Sequence, residues 1–345
     1  CGSTILCRTA DSCPAEELKI KPVNRKAMQR SVYIMAQKHG NLSINSENIF
    51  PIIKKWLYSD HDIFVRELIS NGCDAITKLR KLASMGEYEF PEGHKEEIQV
   101  IVDAKEKTMK FIDTGLGMTA EEVEEYITQI AFSGATEFLE KYKDKTDQDQ
   151  IIGHFGLGFY SAFMVSSNVE IDTLSFVPGA KPIRWQSADG MQFEITEDGT
   201  RTERGTTIIL TLAEDSEEFL DEYHLRSIIK KYCSFLPVEI YVENTDKLEE
   251  EAKKKAEEAA KKAEEGADSE TSEEEPKEEI KPVPLNDTNP LWLKSPKDCT
   301  DEEYIKFYQQ VFNVFDEPLF WIHLNVDYPF NLKGILYLSL IHISE

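Results

Sequence analysis

No apolar run of the length a membrane-spanning helix needs, about eighteen residues, occurs in this chain of 345 residues. The opening stretch, CGSTILCRTADSCPAEELKIKP, holds no apolar signal core of the usual length and no clear cleavage site. The cytoplasm is therefore the expected compartment. Positive charge is also short: 39 Lys and Arg face 64 Asp and Glu, a formal net charge of −25. That balance excludes a general nucleic-acid binder, which needs a basic footprint, and adsorption to an anionic membrane. Of six cysteines, Cys1, Cys7 and Cys13 crowd the start, while Cys73, Cys233 and Cys299 stand alone. With no CxxC pair and no neighbouring pair of histidines, a zinc site is not expected, and reduced thiols are. A Walker-type G-x-x-x-x-G-K-S/T loop is missing, as is the alternating acid pattern of a calcium loop. There is no internal repeat.

What is present suffices for a substantial core. Hydrophobic residues make up 41%, and the length allows two or three domains. Between positions 247 and 279 the composition collapses to seven lysines, fourteen acids, alanine and little else, with no aromatic residue. Such a segment buries too little to offset its ordering entropy and reads as a charged, disordered linker. Before it, spacing predicts helices at 44–58 and 61–85, a hairpin with strands near 98–102 and Thr108–Asp113, and a helix after Thr119. Thr119 and Glu122 have the capping-box spacing. Alternating strands follow in EIDTLSF, IRWQS, MQFEIT and TTIILTL, then a helix near 217–232 and the strand VEIYVE. Behind the linker, TDEEYIKFYQQVF reads as a helix, and LFWIHLNV and KGILYLSL as strands.

The helix at 61–85 carries an unusual face. Glu67, Asn71 and Asp74 fall within roughly 60° of one another, opposite a packing stripe of Val65, Leu68, Ile69, Gly72, Ile76 and Leu79. Alone, such a face can be no more than a solvated one. Next comes FIDTGLGM, with Asp113, Gly115 and Gly117 directly after a strand. An aspartate there can accept a hydrogen bond from an exocyclic amine such as adenine's, though an Asp-Gly turn explains the same letters. In IIGHFGLGFYSAFMV, the spacing Gly153, Gly156, Gly158 reverses the dinucleotide fingerprint, and no strand precedes it. Free amides at a glycine-rich helix start can still hold an anion, and close helix packing is the competing explanation. Thr206 opens a strand in ERGTTIILTL. Ser133 and Gly134 interrupt two helical stretches, and 141–150 is a polar run.

Taken together and in this order, the motifs resemble the GHKL nucleotide-binding fold and, within it, the bacterial heat shock protein 90 chaperones. The likeness runs from about Lys38 to Asn244 and resumes in NPLWLKSPKDCTDEEYIKFYQQVF. It implies an α+β fold, a two-layer α/β sandwich of the GHKL (Bergerat) ATPase type, followed by a truncated α/β middle domain. The implied division is 1–37 unassigned, 38–245 the ATP-binding domain, 246–281 the linker and 282–345 the start of the middle, client-binding domain. By the same resemblance Glu67 is the general base acting on the attacking water, and Asn71 offers its amide oxygen to the magnesium bridging the phosphates. Asp74 tunes the pocket. Asp113 takes the adenine amine, Gly117 and Thr206 lie nearby through water, and Met118 packs the base. Ser133, Gly134, Gly153, His154, Phe155, Gly156, Leu157, Gly158 and Phe159 form a lid over the phosphates, with 141–150 as its mobile part. Tyr126 and Phe132 stand where the family often carries an asparagine and a lysine.

The implied cofactors are ATP and Mg2+, and the implied activity is an ATP-driven chaperone cycle on unfolded or partly folded client proteins. A homodimer is expected only in the full-length protein, through a C-terminal domain beyond this sequence. The family's γ-phosphate arginine is expected from a later middle-domain loop, and no arginine follows Arg226. Weak hydrolysis by this chain is the expectation, with an apolar sheet edge in its final segment. A sensor kinase would need a phosphoacceptor helix pair before Ser43, which the sequence does not show. A topoisomerase or mismatch-repair ATPase would need basic surface. A passive, non-hydrolysing binding module differs only in turnover.

Overall fold

A computed structural model describes residues 60–128, 152, 157–246, 283–326 and 332–339. The expected helix at 44–58, the polar run at 141–150 and the linker at 247–279 lie outside them. Helix α1 (Ile63–Ser84) matches the helix that spacing predicts. Its apolar stripe turns inward, with Phe64, Val65, Ile69 and Ile76 fully buried and Leu68 and Leu79 nearly so. Each such side chain removed from water contributes about 1.5–3 kcal/mol.

Strands β1 (Glu97–Asp103) and β2 (Thr108–Asp113) form the expected antiparallel hairpin, every second residue buried. The capping box opens helix α2 (Ala120–Tyr126): Thr119 Oγ1 accepts the Glu122 N–H, and Glu122 Oε2 accepts the Thr119 N–H. Then come β3 (Ser166–Leu174), β4 (Ile183–Ser187), β5 (Glu194–Thr196) and β6 (Gly205–Leu212). β3 begins earlier than its sequence pattern implies, because pairing with β6 carries it back through a bulge between Ser166 and Asn168. β5 is shorter than MQFEIT, since it pairs only with β4 and leaves Met191 and Phe193 exposed. The expected helix at 217–232 divides into a 3-10 segment, Glu214–Leu220, and helix α3 (Glu222–Cys233). Asp221 makes the break, accepting the N–H groups of Tyr223 and His224 as the N-cap of α3.

With β7 (Glu239–Asn244), the strands form one mixed sheet in the order β5-β4-β3-β6-β2-β1-β7. Only β1 and β7 run parallel; every other pair is antiparallel. Helices α1 and α3 and the 3-10 segment Gly158–Met164 cover the sheet, and Phe64 meets Phe111 and Phe219 edge-on at 6.2 and 5.0 Å. This is the α+β arrangement expected.

From residue 283 the described chain packs on this unit, Leu285 lying against its core and donating its N–H to the Ile240 carbonyl. Buried Asn286 accepts the Ile240 N–H at 2.9 Å and donates to the carbonyls of Leu236 and Val238, both at 2.8 Å. Helix α4 (Asp301–Phe312), opened by a second capping box from Thr300 and Glu303, then packs against the hairpin β8 (Phe320–Val326) and β9 (Leu332–Leu338). Tyr304 stacks on Trp321 at 5.2 Å, and its hydroxyl meets His323 Nδ1 at 2.7 Å. One helix covers only one face of two strands, so Phe320, Ile322, Leu332 and Leu336 stay about half exposed.

Candidate functional site

Strand register builds the first part of the site. Asp113 ends β2 opposite Thr206 on β6, and Thr206 in turn lies opposite Thr173 on β3. Directly opposed residues point to one face of a sheet, so three polar side chains stand in a row within an otherwise apolar layer. All three are buried, and Thr173 is 0% exposed. Asp113 Oδ1 accepts the Gly115 N–H at 2.8 Å. Burial pushes the Asp113 carboxyl up to about 6, against the pull of the Gly115 and Thr206 amides and of Arg201 and Arg204. It is ionised at neutral pH yet poorly solvated, which makes it a strong acceptor for a ligand donor.

The turn after Asp113 is clamped from two sides. Gly117 has φ +63, and a Cβ there would lie 1.8 Å from the Leu174 carbonyl oxygen. Only glycine lets the turn lie this close to β3. The contact delivers the Met118 N–H to Thr173 Oγ1 at 3.0 Å, while Met118 itself packs on the core. On the other side, Arg204 bonds the Thr114 carbonyl, donates to the Tyr88 hydroxyl at 2.7 Å and lies over the rings of Tyr88 and Phe90. Arg201 donates to Thr207 Oγ1 at 2.6 Å and to the Arg204 carbonyl at 3.0 Å.

Helix α1 supplies the second part. The turn rests on it: a Cβ on Gly115 would overlap that of Ala75 at 2.5 Å. Glu67 and Asn71 are half-buried on the face towards this turn, whereas Asp74 is buried and accepts the Ile152 N–H at 2.8 Å. Burial holds Lys78, one turn on, below the usual lysine range, opposed by Asp74 and Glu122. Glu67 Oε1 is bound by the neighbouring Arg66 guanidinium. Its Oε2 lies only 2.5 Å from where a Cβ on Gly158 would sit. The glycine-rich stretch thus ends directly against the Glu67 carboxylate.

That stretch opens a helix, as its glycines imply, but a 3-10 one, Gly158–Met164. Phe159 packs edge-on against Phe163 and Trp185 in the core, so its backbone amide is what it can offer a ligand, as with Leu157 and Gly158. Ser133, Gly134, Gly153, His154, Phe155 and Gly156 lie outside the described residues, as does Phe132. Sequence reasoning passed over Thr173, Arg201 and Arg204. An inward threonine in EIDTLSF, where alternation calls for an apolar side chain, was the available signal for Thr173. Two arginines just before the strand that carries Thr206 were the signal for the others. Among the described residues no group of three or more His, Cys, Asp or Glu could hold a metal, and no helix is long and apolar enough to cross a membrane.

Comparison with known proteins shows what the chain is similar to. Residues 58–177 match the family profile described as histidine kinase-, DNA gyrase B- and HSP90-like ATPase, and residues 218–341 match that of Hsp90 protein. The chain is 49% identical over 298 residues to a chaperone protein HtpG of Bacteroides fragilis, covering 86% of this chain and 40% of the relative. It is 46% identical over 300 residues to that of Porphyromonas gingivalis, covering 87% and 40%. Against the Alkalilimnicola ehrlichii protein of the same name it is 37% identical over 289 residues, covering 82% and 41%. The chain therefore spans about two fifths of the length of these relatives.

Proposed function

The chain belongs to the Hsp90 family, and from that premise we propose that it is the nucleotide-binding part of an ATP-dependent molecular chaperone acting on unfolded or partly folded client proteins. The observation that carries the reading is the buried row ending in Asp113, which lies against Gly72 of the helix that carries half-buried Glu67 and Asn71. A desolvated carboxylate beside a threonine hydroxyl suits the amine edge of adenine. Met118, packed on the core beside them, offers the base an apolar contact.

In this reading the side chains divide the work by position. Asp113 and Thr206 hold the base. Asn71 would offer its amide oxygen to a magnesium ion bound with the nucleotide. Glu67 orients the attacking water and takes its proton. Arg66 and the backbone at Gly158 limit where the Glu67 carboxylate can move. Asp74 ties α1 to Ile152 and so to the glycine-rich stretch. The Leu157, Gly158 and Phe159 amides, with Ser133, Gly134, Gly153, His154, Phe155 and Gly156, belong to a lid that closes over phosphate. The donor set fits Mg2+ held mainly by phosphate oxygens, with Asn71 as the hard oxygen ligand from the protein. When bound, the ion would supply neutralisation of phosphate charge.

Lid closure couples nucleotide state to grip on the client. The assignment of 38–245 as the ATP-binding domain, 246–281 as the linker and 282–345 as the start of the client-binding middle domain is part of the same reading. So are a homodimer formed by the full-length protein through a C-terminal domain, a cytoplasmic location, and the lack of a nucleic-acid or membrane partner. Titration with Mg-ATP followed by a turnover assay tests the proposal. Saturable binding with turnover that depends on Glu67 supports it; no saturable binding refutes it, and binding with no turnover favours a passive module.

A further inference from the structure

Thr173 touches the site only through its neighbours, yet it is fully buried and its hydroxyl both accepts and donates. One lone pair accepts the Met118 N–H at 3.0 Å. Two oxygens stand within reach of its single proton, Thr206 Oγ1 at 3.0 Å and the Gly205 carbonyl at 3.2 Å. The choice between them sets what Thr206 presents to a ligand. If the Thr173 proton went to Gly205, the Thr206 hydroxyl would donate back to Thr173 and show the pocket only lone pairs. If it goes to Thr206, the Thr206 proton is free to point outward.

We infer that Thr173 is a positioning residue that orients the Thr206 hydroxyl as a donor and thereby selects adenine over 6-oxopurines. The inference rests on the nucleotide-binding reading above. Three observations favour the outward sense. Thr206 is the nearer acceptor. A chain running from Met118 N–H through Thr173 to Thr206 aligns each dipole with the next, which strengthens all of them. The Asp113 carboxylate in the same row is an acceptor, so an outward Thr206 donor completes an acceptor–donor pair. Adenine offers the complement, an amine donor beside the N1 acceptor. Hypoxanthine and guanine offer a carbonyl beside an N1–H, and would set acceptor against acceptor and donor against donor. The backbone makes the device possible: Gly117, at φ +63 against Leu174, brings the Met118 amide to Thr173.

The test measures ATP and ITP affinity for the full chain, wild type and variants, with thermal melting of each ligand-free protein alongside. Thr173→Val keeps the shape and removes the hydroxyl, freeing Thr206 to rotate and accept. ATP binding is expected to weaken about three- to tenfold, while ITP binding is unchanged or improved, so the ATP/ITP preference falls by at least about threefold. Thr173→Ser restores the preference. In a Thr206→Val background, Thr173→Val should change the preference no further, because the two act as one unit. Equal weakening of both nucleotides, or an effect that persists without the Thr206 hydroxyl, overturns the inference and leaves Thr173 a packing residue. A wild-type chain that bound ATP and ITP alike would overturn it too, with nucleotide binding intact. A wild-type chain binding neither would bring down the nucleotide reading, and this inference with it.

Discussion

Acid should weaken nucleotide binding through one carboxylate, while the same carboxylate's share of fold stability moves the opposite way. Burial holds Asp113 at about 6, up from its ordinary 3.8. The ionised form is the stronger acceptor for an adenine amine, so affinity is greatest at pH 7.5. At pH 5 about one carboxylate in ten is ionised, and affinity should be about tenfold lower. For folding the sign reverses. The folded state holds the proton more tightly than the unfolded state, so this group's contribution is greatest below pH 4. It falls by roughly 3 kcal/mol as pH rises from about 4 to 6, and is level above. Calorimetric titration from pH 5 to 7.5, with adenosine as well as ATP, separates the protein's titration from that of the phosphates, because adenosine carries no group that titrates there. Asp113→Asn should bind weakly at every pH and lose the slope, since its amide turns a donor towards the amine. A flat adenosine affinity across this range, or the same slope in Asp113→Asn, would refute the reasoning.

Glu67→Ala should leave Mg-ATP affinity within about threefold while abolishing phosphate release, because the base acts on water and not on the nucleotide; loss of binding would show the role assignment to be wrong. Gly158→Ala places a methyl 2.5 Å from Glu67 Oε2. The carboxylate must swing away, so turnover should drop about tenfold or more with an unchanged melting temperature, and a variant that hydrolyses like wild type would separate Gly158 from the base. Gly117→Ala meets both a positive φ and the Leu174 carbonyl, and should cost about 1–3 kcal/mol in denaturant unfolding; a neutral result would mean the turn stands off β3.

Much of the architecture was readable from local pattern, for definite physical reasons. Helix α1 declared itself because its 3.6-residue apolar period is sustained over some twenty positions, and the Thr119–Glu122 capping box because a threonine and a glutamate three apart satisfy each other's backbone. Strand alternation marked β1, β2 and β6. The polar face of Glu67, Asn71 and Asp74 was visible for the same reason, although Asp74 proved to be buried against Ile152 while its two companions stayed half-buried. Local pattern failed where the outcome depended on a partner. β3 extends to Ser166 because β6 is there to pair with it, and β5 stops short because it is an edge. The Gly158–Met164 segment is a 3-10 helix whose aromatic rings fill the core.

What the sequence determined by itself was therefore a set of elements and a short inventory of side chains capable of the chemistry: one carboxylate after a strand, two on a helix, an amide and a threonine. Only the tertiary structure decided which of them meet. The register of three strands sets Asp113, Thr206 and Thr173 in one row although they are far apart in the chain, and that register follows from the burial of every second residue on a single face, since a slip of one position would turn the whole row outward. Thr173 and Arg204 acquire their roles only there, because a hydroxyl or a guanidinium is defined by the groups it reaches, and those groups belong to other segments.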